Sequence, residues 1–196
     1  GFGAEVEEEA RSFRQLQLVL VLALLLVYAV MASQYESLRD PFIIMFSVPM
    51  GLPGVILILF LTDTTLSTTS MMGIIMMLGI VVSNGVLLVD YTNVLRRRGR
   101  ELHDAAVTAA KTRLRPILMT SLATVLGLLP MAIGWGTGGE TNAPLARAVV
   151  GGLSVSTILT LFLIPTVYVI LEERFSRHPD KTPENIDWIP AEPASR

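Results

Sequence analysis

Residues 73–95 read GIIMMLGIVVSNGVLLVDYTNVL, from Gly73 to Leu95. At ~1.5 Å of rise per residue this run is long enough, as a helix, to cross a ~30 Å hydrocarbon core. Within it stand Ser83, Asn84 and Asp90. Polar and ionisable groups at such depth are costly and commonly line an ion or substrate path. Ser83 and Asp90 lie two turns apart and so share a face, with Asn84 one step round. Asp90 has no Lys or Arg three or four residues away, so no ion pair within its own helix relieves it. It must meet water, meet a neighbouring helix, or hold its proton. Two readings fit it: a proton-carrying carboxyl, and a structural Asp that reaches the headgroups or bonds a neighbour.

The rest of the chain has the same character. Of its 196 residues, 52% are hydrophobic and 16% charged, well below the ~25% charged of soluble domains. Five apolar stretches have spanning length, at about 16–32, 41–61, 71–95, 116–134 and 145–171. Long unbroken apolar runs suit helices rather than barrel strands, so the fold class expected is all-α: a polytopic bundle of five transmembrane helices over 15–175. Residues 1–14 read as a charged helical lead-in, 101–112 as a short amphipathic helix whose Ala-rich face rests at the membrane surface or connects in solvent, and 176–196 as a polar, Pro-rich disordered tail. Arg39, Arg96, Arg97, Arg98, Arg100, Lys111, Arg113, Arg115, Arg174, Arg177, Lys181 and Arg196 fall on one side, and Arg11, Arg14 and Arg147 on the other. The bias places the N-terminus outside and the C-terminus in the cytoplasm. The chain opens on Gly1 with acidic residues and no secretory signal, which reads as a piece of a longer protein.

Several function classes fall away. Net charge is −2, which gives no reason to expect nucleic acid. Cysteine is absent and the histidines His103 and His178 are far apart, so no metal site or cofactor is expected. No Ser-His-Asp set, phosphate loop or HExxH motif points to an enzyme. Thr120 and Thr124 share a face of the fourth span, beside Ser121; such hydroxyls relay protons, bond a neighbouring helix, or bond their own backbone. Gly79, Gly85, Gly151 and Gly152 are candidates for close helix packing. The clustered methionines Met71, Met72, Met76 and Met77 read as core filling. Prolines such as Pro41, Pro49, Pro53 and Pro116 start or kink helices.

Four separated segments carry a family resemblance: MASQYESLRDPFIIMFSVPMGLPG, MLGIVVSNGVLLVDYTNVLRRRG, RLRPILMTSLATVLGLLPMAIG and GGLSVSTILTLFLIPTVYVILEERF. In order and spacing the chain resembles the last five helices of the C-terminal membrane half of resistance–nodulation–division efflux permeases, nearest the hydrophobe/amphiphile exporters. The resemblance implies a proton-driven antiporter in the bacterial inner membrane, working as a homotrimer. Its implied partners are the N-terminal half and periplasmic domains of the same permease, a periplasmic adaptor and an outer-membrane channel. It implies a coupling face at Ser83, Asn84 and Thr120, with Asp90 below. The family's coupling site pairs two Asp residues of the other half with a Lys on the helix matching residues 73–95; Ser83 stands where the best-known multidrug pumps carry that Lys, which leaves the counter-charge unassigned. Rival readings are a related protein-export subunit and a non-transporting five-helix scaffold.

Overall fold

The computed structural model describes residues 2–136 and 138–175. Among these residues six α-helices follow in order: α1 (Phe2–Tyr35), α2 (Arg39–Met45), α3 (Leu52–Leu61), α4 (Thr68–Arg97), α5 (Leu102–Ile133) and α6 (Gly139–Phe175), with a 3-10 turn at Val48–Gly51 between α2 and α3. No strand occurs among the described residues. Among the described residues five stretches are long and apolar enough to cross a membrane: Gly3–Tyr35, Arg39–Leu61, Thr68–Arg97, Leu102–Ile133 and Gly139–Arg174. The all-α membrane bundle read from the sequence is the architecture found.

Two boundaries differ from the expectation. The second span is two α-helices joined by the 3-10 turn that contains Pro49. Pro49 has no N–H to continue the α ladder, and the Ser47 hydroxyl donates to the Ile44 carbonyl at 2.6 Å just before it. Conversely, the helix expected at 101–112 and the span expected from 116 are one helix, α5, which runs through Pro116. Its Ala-rich face packs inward rather than resting on the membrane surface. Ala105 and Ala109 are buried in a cluster with Leu88, Leu95, Ile164 and Tyr168. Alanine has the highest helix propensity, and its small side chain lets α5 lie close to α4 and α6. The tail at 176–196 lies outside the described residues.

Helix α6 is the hub, packed against α3, α4 and α5. At the α3–α6 crossing the backbones themselves touch. A Cβ on Gly54 would sit 2.5 Å from the Gly151 carbonyl oxygen, and one on Gly151 would sit 2.3 Å from Cγ2 of Ile58. Gly152 faces Val55 and Met77 at the same crossing. Without a hydrophobic drive between helices in lipid, such small-residue contact is a main source of association. The α1 span, by contrast, is only 6% buried against 56% for α4, so α1 turns its Leu and Val side chains outward.

Helix α4 starts on a capping box: Ser70 N–H donates to the Ser67 hydroxyl at 3.3 Å, and Ser67 N–H to the Ser70 hydroxyl at 2.8 Å. Two otherwise orphaned donors are thereby satisfied. Ser67→Ala is expected to cost about 1 kcal/mol, measured as a lower thermal midpoint of the detergent-purified protein.

Candidate functional site

The buried and exposed faces of α4 separate cleanly. Gly73, Met77, Val81, Asn84, Gly85, Leu88, Thr92 and Leu95 are buried. Met72, Met76, Gly79, Ser83, Leu87 and Asp90 are exposed. These six recur every three or four residues and form one stripe along the helix. Ser83 and Asp90 therefore share a face, and no described helix covers it. Asn84 points away from them, 8% exposed. Gly79, expected at a packing seam, belongs to the open stripe, and a Cβ there would meet nothing within 4 Å. Gly85 lies on the packed side, where a Cβ would approach Ile44 and Ile164 at 3.2 Å.

Thr120 is exposed on α5 and donates to the Ile117 carbonyl at 3.0 Å, while Thr124 donates to the Thr120 carbonyl at 2.8 Å. Both hydroxyls thus bond their own helix, with oxygen lone pairs left to accept. The next residue, Ser121, is buried and meets Thr157 of α6 at 2.9 Å. That hydroxyl pair fixes the rotation of α5 against α6, and so aims Thr120 outward.

A polar network absent from the sequence reading lies where three span ends converge. Asn93 of α4 donates its amide to Asp40 Oδ2 of α2 at 2.6 Å. The Tyr168 hydroxyl of α6 donates to Asn93 Oδ1. One turn on, Arg96 of α4 pairs with Glu172 of α6. These residues, with Ser37, Arg39 and Arg97, line an open cleft of about 290 Å³. The one local signal was the clustering of Asn93 and Arg96 just past Asp90. Their partners stand 53 and 76 residues away in sequence, and no spacing rule reaches that far. Beside this network the Arg113 guanidinium of α5 stacks over the Tyr91 ring, 5.0 Å from its centroid.

At the other end of the bundle Arg147 of α6 acts as a clasp. Its Nε donates to the Ala132 carbonyl at 2.9 Å and its Nη1 to the Thr64 hydroxyl at 2.7 Å. A cation at the last turn of α5 also complements the helix dipole, and the contact ties the α3–α4 loop to α5 and α6. Among the described residues no group of three His, Cys, Asp or Glu is placed to hold a metal ion.

The family model for AcrB/AcrD/AcrF matches residues 1–172. The chain belongs to this family of resistance–nodulation–division efflux permeases. Among curated members of the family, it is 38% identical over 85% of its length to the cobalt-zinc-cadmium resistance protein CzcA of Cupriavidus metallidurans. It is 34% identical over 91% of its length to the toluene efflux pump membrane transporter TtgB of Pseudomonas putida. Its structure superposes on a crystal structure of a heavy metal efflux pump with TM-score 0.77, at 34% identity over 86% of this chain and 16% of that one. The chain spans only 16% of CzcA and 17% of TtgB.

Proposed function

We propose that this chain is membrane-domain machinery of a proton-driven efflux permease, and that the Ser83–Asp90 stripe of α4 is its coupling face. One observation carries the reading: α4 is packed on every side but this one, and this side holds a hydroxyl and a carboxyl. An ionised Asp costs ~2.5–3.5 kcal/mol at the bilayer centre on insertion scales, and less at Asp90, which is seven residues from the end of α4. A second polar protein surface or a water-filled path removes that cost. In the proposed working state Ser83 and Thr120 line the path, Asp90 lies below them, Asn84 stays on the packed side of α4, and proton influx tilts these helices against the partner half. Hydroxyl, amide and carboxyl oxygens are hard ligands, suited to protons and water rather than to soft cations.

On this reading the pump is a secondary transporter rather than an enzyme, a homotrimer of the bacterial inner membrane with the start of α1 periplasmic and the end of α6 cytoplasmic. It works with an adaptor and an outer-membrane channel. The cargo we propose is a hydrophobic or amphiphilic compound, the class to which the toluene pump's name points. A metal cargo is the second reading, favoured by the identity to CzcA.

The coupling proposal is tested with the double variant Ser83→Ala, Thr120→Ala, assayed for proton-gradient-driven export at matched expression. Loss of most export is expected; unchanged export would sink the local part of the proposal. Cargo is tested by deleting the gene and comparing tolerance of solvents and dyes with tolerance of cobalt, zinc and cadmium. Sensitivity to the cations alone overturns the hydrophobic assignment.

A further inference from the structure

The cleft at the converging span ends does not stand alone. An apolar groove of about 250 Å³ opens beside it, lined by Leu38, Arg39, Phe42 and Leu171. Arg39 lines both cavities. It is also the first residue of the second span, as Arg97 is the last of the third, which sets the cleft at headgroup depth and lets the groove run along the acyl region. The groove's apolar walls face outward: Leu38 is 69% exposed and Phe42 53%.

The cleft carries both signs of charge. Arg39, Arg97 and Asp40 line it beside the Arg96–Glu172 ion pair. Guanidinium groups recognise phosphate oxygens, and basic pockets between membrane helices hold lipid headgroups. A carboxylate in the same cleft disfavours a purely anionic headgroup and favours one with an ammonium beside its phosphate.

We propose that the cleft and the groove together bind one molecule of phosphatidylethanolamine. Its phosphate sits on Arg39 and Arg97, its primary ammonium faces Asp40, and one acyl chain lies along Leu38, Phe42 and Leu171. Asn93 orients the acceptor: by donating to Oδ2 of Asp40 it fixes the carboxylate plane. A quaternary ammonium has no N–H to donate to that carboxylate, so phosphatidylcholine is discriminated against. This site is independent of the coupling face and of the transport reading.

The test is native mass spectrometry of the intact, delipidated protein in detergent, with equal amounts of phosphatidylethanolamine, phosphatidylcholine and phosphatidylglycerol. Retention of phosphatidylethanolamine about tenfold over phosphatidylcholine is expected, the scale of one charge-assisted hydrogen bond. Asp40→Asn keeps an oxygen for Asn93 and is expected to abolish that preference while phosphatidylcholine binding stays. The double variant Arg39→Ala, Arg97→Ala is expected to weaken every phospholipid. Leu171→Trp, which fills the groove without touching the cleft's charges, is expected to lower retention of diacyl lipid. Equal retention of all three lipids, a preference for phosphatidylglycerol, or a preference for phosphatidylethanolamine unmoved by Asp40→Asn overturns the proposal.

Discussion

Replacing Gly151 with leucine is expected to destabilise the bundle by about 3 kcal/mol or more, read as a sharp fall in thermal midpoint and in the yield of monodisperse protein. Overpacking of a tight core already costs about 1–3 kcal/mol where side chains can shift. Here the obstacle includes backbone: a bare Cβ at Gly151 meets Ile58 Cγ2 at 2.3 Å and the Gly54 carbonyl oxygen at 2.7 Å. Helix α3 must therefore move away from α6 as a unit, taking Val55 and Leu59 out of their cluster with Met77 and Val149. Gly127→Ala is the control. Nothing lies within 4 Å of a Cβ there, and alanine exceeds glycine in helix propensity by roughly 1 kcal/mol. A Gly151→Leu midpoint no lower than that of Gly127→Ala would refute the close α3–α6 contact.

Asn93→Leu is the second large effect, at about 2–4 kcal/mol. It removes the donor to Asp40 and the acceptor for Tyr168 together. A buried or half-buried polar group left without its partner costs about 1–3 kcal/mol, and more when charged. Tyr168→Phe deletes only one of these bonds and is expected to cost about 1 kcal/mol. Once Asn93 is leucine, Tyr168→Phe should cost less than it does alone, because the bond it removes is already gone. Strict additivity of the two changes in the thermal midpoint would argue that the three residues do not act as one network.

The sequence and the structure divide the account unevenly. Apolar run length against bilayer thickness gave all five spans, because that match depends on composition alone. The helical period likewise put Ser83 and Asp90 on one face before any contact was known. What the period leaves open is rotation about the helix axis. Ser83 and Asn84 are adjacent in sequence but about 100° apart on the helix, and either could have faced inward. Packing decided it: Gly85 fits against Ile44 and Ile164, which turns Asn84 inward and leaves Ser83 open.

Proline was similarly ambiguous. Pro49 interrupts its span and Pro116 does not, since the outcome depends on whether neighbouring helices hold the chain straight around the lost hydrogen bond. Alanines 105 and 109 were legible as a helical face, but whether that face met membrane or protein was not. Beyond the clustering of Asn93 and Arg96, nothing local pointed to the Asp40–Asn93–Tyr168 network or the Arg147 clasp, since each joins residues that only the folded bundle brings together.

The sequence by itself thus determined that this chain is a membrane helix bundle, where its apolar stretches of spanning length lie, and which helix carries the ionisable group, because each follows from local composition against a fixed solvent thickness. Only the tertiary structure decided which face of that helix stays open, where the span ends meet in a charged cleft, and which glycines let backbones touch. Those depend on how helices far apart in sequence rotate and lean against one another, and rotation is set by packing partners rather than by the period of any one segment.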